Sequence, residues 1–295
     1  MTNFKLRITN SRFWVGNSLF LCLLLILSGS VFGQNLENLA AMLNRGSVEQ
    51  KRDALLQIRN LENTEASRIA VAALRDSSEI VRATAAFSVV FLPKDEALAV
   101  LSPLLRDKSP LVRRETVYAL GKVGNPNGVN SLRQLFRKDK IVEVKNAVVV
   151  ALGEIGDVAA VADLIEILQH KPSPKEDFLR RSAARSAGQI AQIIRTAKVT
   201  VITPENFLPG QSENNTAADK RNFGELFPDF QPATRILIQV LQSKNEADDV
   251  KREAAFALGA IGDESARTVL QANLNAEDYY LAAICREALL KLERN

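Results

Sequence analysis

The chain has 295 residues, of which 46% are hydrophobic and 24% are charged, and this is the composition of a globular protein. Three of its 38 basic residues and none of its 34 acidic residues lie in positions 1–33, so the remainder is almost neutral. This balance argues against a nucleic-acid partner, because binding duplexes needs a concentrated positive surface. A single histidine, His170, excludes a metal site with two histidine ligands.

The N-terminal segment has the order of features found in secretory signal peptides. Three basic residues are followed by the apolar run Leu19–Leu27 and by small residues up to Gly33. We therefore expect residues 1–33 to be a signal peptide and the mature chain to be periplasmic or secreted, without membrane insertion. The alternative is that the segment is kept as an uncleaved anchor.

A motif recurs along the rest of the chain with a period of about 31 residues. It begins with an apolar residue and a basic residue, continues with small residues, and has glycine at its tenth and thirteenth positions in several copies. Its first residues, which we call anchors, are Val81, Val112, Val144, Leu179 and Val250. The apolar positions share one face of a helix, and the later glycine is typical of a helix C-terminus.

A second helical segment follows each anchor helix, and there is almost no strand signal. Such an alternation predicts an all-α fold, an α-solenoid of about six stacked helix pairs over residues 34–295. About 40 residues separate the fifth anchor helix from its second helix, which predicts a long insertion at about 192–231.

The motif resembles a known repeat family. The segments 250–263 and 144–157 are similar to the signature of HEAT repeats, in the short HEAT-like form of phycobilisome lyases. The resemblance implies an α-solenoid and identifies no activity. Asp76, Asp107 and Asp139 stand six residues before Arg82, Arg113 and Lys145, and the resemblance implies an internal ladder between neighbouring repeats that ties down turn amides.

Two reactive residue types have structural interpretations. Cys285 falls in a column of small residues, so we expect a packed thiol and not a nucleophile. His170 lies before a proline-containing stretch, and we expect a solvated loop residue there.

The inner, concave side of such a solenoid is the candidate binding surface. Residues that fall on it form an apolar patch typical of protein interactions, although packing between helices is an equal alternative. The candidate partner-binding residues are Phe87, Phe91, Tyr118, Val150, Arg185 and Phe256. The insertion adds four phenylalanines, which either fold back on the solenoid or contact a partner: Phe207, Phe223, Phe227 and Phe230.

These features predict an exported, non-enzymatic scaffold that binds a protein or peptide through its concave face. We expect no catalytic residues, cofactor or metal, because acids such as Glu154 have no motif around them. The alternative is a lyase-like or chaperone-like accessory subunit that acts on a cofactor-bearing protein. Nucleic-acid binding through Arg180, Arg181, Arg185 and Arg195 is disfavoured by the charge balance and the export signal.

Overall fold

Helices follow one another along the chain in pairs, in the order that the repeat predicts. A computed structural model describes residues 34–196 and 223–294, and within these ranges every regular element is helical. The predicted all-α solenoid is therefore confirmed. The expected signal peptide at residues 1–33 lies outside the described residues. No helix within the described ranges combines the length and the apolar character needed to span a bilayer.

Five helices contain the anchors and, together with one further helix at each end of the chain's repeats, form one layer. They are α2 (Val48–Asn60), α4 (Glu79–Ser88), α6 (Pro110–Val123), α8 (Val142–Ile155), α10 (Asp177–Thr196), α13 (Asp248–Ile261) and α15 (Tyr279–Arg294). The second layer consists of α1 (34–45), α3 (Thr64–Ala70), α5 (Lys94–Leu101), α7 (Val129–Lys138), α9 (Val161–Gln169), α12 (Phe230–Gln242) and α14 (Arg267–Ala272). The short α11 (Phe223–Leu226) precedes α12, and 3-10 turns at Val71–Arg75 and Ser102–Arg106 extend α3 and α5.

The anchor helices pack directly on one another from α2 to α15. Successive helices of the second layer make fewer mutual contacts, with α9 and α12 as the clearest exception. The stack is continuous across the insertion, because α10 packs closely on α13. We call the solvent-facing side of the anchor layer the inner face.

Glycine allows the close approach of neighbouring anchor helices. A Cβ atom placed on Gly259 of α13 would lie 2.7 Å from the Cβ of Ala288 in α15 and 2.8 Å from its Cα. One placed on Gly188 of α10 would lie 2.8 Å from the Cα of Ala257 in α13. Such distances are shorter than two carbon atoms tolerate. The glycines at the tenth position of the motif, which we call the first glycine column, therefore set the spacing of the anchor helices.

The second glycine column ends the helices. Gly124, Gly156 and Gly262 follow α6, α8 and α13 with φ values of +63°, +77° and +69°, a left-handed conformation that glycine adopts without a Cβ penalty. The repeat of α4 lacks this glycine, and α4 ends at Ser88. Phe91 therefore lies in the turn after α4. Its predicted place on the inner face required a position on the helix.

Arginine and aspartate side chains connect each repeat to the next. Arg82 donates two hydrogen bonds to Asp107, at 2.7 and 2.9 Å, and Arg113 does the same to Asp139, at 2.6 and 3.1 Å. Each arginine also donates to carbonyls of the turn before its own helix, and Asp107 accepts the backbone N–H of Ser109. The Arg82 hydrogen bond holds the pKa of Asp107 below its ordinary value. The ladder thus joins repeats and orders turns, as the resemblance implied.

The ladder departs from its expected membership after the third repeat. Lys145 has no carboxylate partner among the described residues, and its Nζ lies 5.4 Å from the ring centroid of Phe136. Arg180 instead bridges the insertion, donating at 2.9 and 2.5 Å to Glu246, and both side chains are 1% exposed. Arg252 then pairs with Asp278 at 2.6 Å, although Lys251 occupies the expected basic position.

Asp107→Asn tests whether the ladder stabilises the fold through charge. Because the folded-state pKa of Asp107 is lowered, its contribution is present above the unfolded pKa and is lost as pH falls through the folded pKa. We expect the free energy of unfolding in urea at pH 7 to fall by about 1–3 kcal/mol. The difference in the free energy of unfolding between wild type and Asp107→Asn should begin to narrow near the unfolded pKa of about 4 and continue to narrow as pH falls further. The matched control is Asp53→Asn at an exposed position, which should leave both the free energy of unfolding at pH 7 and its change with pH as in wild type. A gap independent of pH would contradict the charge assignment.

Gly259→Ala tests the steric role of the first glycine column. Alanine raises helix propensity by about 1 kcal/mol, but overpacking a tight contact costs about 1–3 kcal/mol. Because the added Cβ meets the backbone of Ala288, we expect a net loss of stability in urea unfolding. Adding Ala288→Gly should restore part of the loss by removing the opposing methyl group, as measured in a double-mutant cycle. A stabilised Gly259→Ala variant would refute the assignment.

Candidate functional site

Aromatic and apolar side chains from three consecutive anchor helices lie on the inner face. Phe87 of α4, Tyr118 of α6 and Val150 of α8 are each half-buried, and α4, α6 and α8 pack side by side. Phe87 and Tyr118 also contact the hydrophobic core. Three of the predicted partner-binding residues are thus at the surface of one continuous strip, with part of each side chain accessible.

Glu154 lies one helical turn after Val150 and is also half-buried. Its Oε2 occupies the space that a Cβ on Gly121 would need, so the carboxylate rests against the backbone of α6. No described group donates a hydrogen bond to it or forms an ion pair with it. Burial raises the pKa of the Glu154 carboxyl, and the positive charge of Lys122 opposes this rise.

Tyr118 shares this electrostatic environment. Burial raises the pKa of its hydroxyl, Arg114 opposes the rise, and the carboxylates of Glu115 and Glu154 add to it. The charge of Glu154 reaches the Tyr118 hydroxyl, so the carboxylate and the tyrosine are near one another. A partly desolvated carboxylate favours a cation, because an ion pair offsets desolvation, and the face of a tyrosine ring attracts positive charge. The arrangement can therefore hold a protonated amine. We call Tyr118, Val150 and Glu154 the amine site.

The other predicted inner-face residues are placed differently. Phe256 is 1% exposed and packs against Gly188, so it is a core residue and not a contact surface. The sequence pattern could not show this, because the close approach of α10 and α13 covers the ring. Arg185 is half-buried and donates to Glu253 at 2.6 Å, an ion pair between neighbouring anchor helices.

Three phenylalanines at the end of the insertion lie against the solenoid. Phe223 and Phe230 are 6% and 0% exposed, and the Phe223 ring centroid lies 4.9 Å from that of Phe227 and 5.1 Å from that of Phe230. The guanidinium of Arg195 in α10 lies 4.4 Å from the centroid of Phe223. Phe223 and Phe230 are therefore not accessible to a partner. Phe207 lies outside the described residues.

The two reactive residues occupy the environments that the sequence predicts. Cys285 is fully buried, and burial raises its thiol pKa to about 12, which leaves no thiolate at neutral pH. His170 is exposed at the end of α9, and its carbonyl accepts a hydrogen bond of 2.6 Å from Arg180. Within the described ranges, no group of three or more His, Cys, Asp or Glu side chains is placed to bind a metal ion.

The sequence did not predict that Glu154 packs against the backbone of α6. It also did not predict the acids that pair with Arg180, Arg185 and Arg252, which are Glu246, Glu253 and Asp278. The signal for Glu154 was available, because it follows a motif glycine and faces Gly121 of the preceding repeat. Glu246 carries no comparable signal, since it lies 66 residues from Arg180 on the other side of the insertion.

Comparison with known proteins finds relatives that are named deoxyhypusine hydroxylases. The chain is 25% identical to deoxyhypusine hydroxylase-B of Oryza sativa subsp. japonica over 281 residues, which is 83% of this chain and 88% of the relative. It is 23% identical to deoxyhypusine hydroxylase of Mus musculus over 258 residues, covering 80% and 83% of the two chains.

These relatives correct the functional expectations. They are named for an enzyme, so the expected exported scaffold without enzymatic function is wrong. The lyase-like or chaperone-like accessory subunit fits them no better. These relatives likewise give no support to the expected export, signal peptide or periplasmic location.

The family matches agree with the repeat period. The model for HEAT repeats matches residues 67–142 and 99–188, and the model for the PBS lyase HEAT-like repeat matches residues 250–276. A solved structure of an engineered protein is similar in fold, with a TM-score of 0.50 and 17% identity over 88% of this chain and 68% of that one. The chain belongs to the HEAT-repeat family, with repeats of the phycobilisome-lyase type.

Proposed function

We propose that this chain binds a protein substrate through an amine-bearing side chain, which the amine site on the inner face receives. The observation that carries the proposal is the Glu154 carboxylate, which is partly desolvated against the backbone of α6 at Gly121. Among the described residues it forms no hydrogen bond or ion pair, although the charge of Lys122 acts on it. A protonated amine would supply the direct ion pair that Glu154 does not form with Lys122. The surrounding apolar strip of Phe87 and Val150 would contact the methylene groups that lead to the amine.

The relatives support this class of substrate. Their name refers to deoxyhypusine, a lysine side chain that carries an added aminobutyl group, and the similarity extends over most of both chains. Such a side chain is long, largely apolar along its length and cationic. These are the properties that a half-buried carboxylate at the end of an apolar strip would select.

The residues present do not fit a histidine-containing metal centre. Hydroxylation of a saturated carbon needs activated oxygen, and non-haem iron enzymes generate it at sites with two histidines and a carboxylate. This chain has one histidine, His170, which is exposed at the end of α9 and belongs to the opposite layer from Glu154. The residues of the amine site are therefore assigned to recognition of the substrate side chain and not to activation of oxygen.

Glu154→Gln is the direct test of the amine site. The substitution keeps the shape of the side chain and removes the charge, so a deoxyhypusine-containing peptide should bind about tenfold to a hundredfold more weakly in calorimetry. The matched control Glu143→Gln changes an exposed acid at the start of the same helix and should bind as wild type does. A peptide with Nε-acetyl-lysine in place of deoxyhypusine should bind wild type weakly, because it has no charge.

Stability separates this role from a structural one. Since burial raises the pKa of Glu154, the charged form destabilises the fold at neutral pH, and Glu154→Gln should unfold in urea at an equal or higher concentration than wild type. Loss of peptide affinity together with retained stability supports the proposal. Unchanged affinity, or a loss of affinity that only follows unfolding, contradicts it.

A further inference from the structure

A groove lies between the second-layer helices of two consecutive repeats, away from the inner face. Its walls are the 3-10 turn Ser102–Arg106, which extends α5, and helix α7, and its ends are the turns that lead into α6 and α8. It encloses about 840 Å³. We call it the basic groove.

The floor of the basic groove is apolar and its rim is cationic. Leu105, Leu135 and Ile141 line the floor, and Leu105 is 6% exposed while the other two are half-buried. Four exposed cations surround them: Arg106, Lys108, Lys138 and Lys140. Within the described part of the chain, none of these four side chains forms an ion pair.

The ladder explains why this positive charge is uncompensated. Each of the two turns has an aspartate between two cations, in the triplets 106–108 and 138–140. Asp107 is paired with Arg82 and Asp139 with Arg113, so neither carboxylate forms an ion pair with its sequence neighbours, although Lys108 also lowers the pKa of Asp107. Asp139 is the one acid that lines the groove, and its side chain is 3% exposed. The groove thus presents four positive charges to solvent over an apolar floor.

We propose that the basic groove binds an acidic segment of a partner protein that also carries a large apolar residue. Charge complementarity requires several carboxylates to match the rim, and the floor of leucine and isoleucine side chains requires an apolar anchor. Nucleic acid satisfies the first requirement alone, since its backbone offers phosphates without an aliphatic group to fill the floor. The two charged triplets are one repeat apart, so an extended or helical peptide segment can contact both.

A synthetic probe tests the basic groove. The probe is a fluorescein-labelled peptide of repeated Glu-Glu-Leu-Asp units, and its affinity is measured by fluorescence anisotropy at low and physiological salt. We expect saturable binding that weakens as salt rises, because the rim charges are exposed. Lys108→Glu combined with Lys140→Glu reverses one cation in each triplet and should weaken binding by about tenfold or more.

A matched control has the same change in net charge elsewhere. Lys175→Glu combined with Arg286→Glu alters two exposed cations that do not line the groove, and should leave the affinity close to that of wild type. All four positions are exposed, so both double variants should keep the circular dichroism spectrum and the urea midpoint of wild type.

Four results would overturn the proposal. These are no saturable binding of the probe by wild type, equal weakening in the groove and control variants, equal binding of a peptide with serine in place of leucine, and tighter binding of duplex DNA with the same dependence on Lys108 and Lys140. The first two remove the site, the third removes the apolar anchor, and the fourth makes the groove a nucleic-acid surface.

Discussion

The close approach of neighbouring anchor helices is the constraint on which the rest of the structure depends. It exists because Gly188 and Gly259 leave no Cβ between the helices, and a side chain there would meet backbone atoms of the next repeat. The same spacing places the Glu154 carboxylate against the backbone of α6, over Gly121. The glycine column therefore gives the layer its packing and gives the amine site its desolvated acid.

The arginine ladder has a second consequence besides joining repeats. Arg82 and Arg113 form ion pairs with Asp107 and Asp139 in the turns of the following repeats. The cations that flank these two aspartates are therefore left without an ion pair. An internal stabilising interaction thus determines the external charge of the second layer. The balance of 38 basic and 34 acidic residues conceals this, since it averages paired and unpaired groups over the whole chain.

Periodicity made the fold predictable, and its breaks limited the prediction of sites. A regular spacing of anchors and glycines is enough to predict stacked helix pairs, because each repeat buries the same face. Phe91 and Phe256 were misplaced because one repeat ends its helix early and the other lies under a neighbouring helix. Glu246 could not be found, because the insertion separates it from Arg180 and removes any periodic relation. Enzyme relatives could not be inferred from a motif that specifies a scaffold.

The packing of α6 and α8 desolvates the Glu154 carboxyl group, and in the proposed function a substrate amine pairs with it. The most direct measurement is the titration of the Glu154 side-chain carboxyl carbon by NMR, without and with a deoxyhypusine-containing peptide. We predict a pKa above the ordinary value of 4.5 in the free protein and a fall in that pKa when the peptide is bound. An ordinary pKa that does not respond to the peptide would contradict both the desolvation and the pairing.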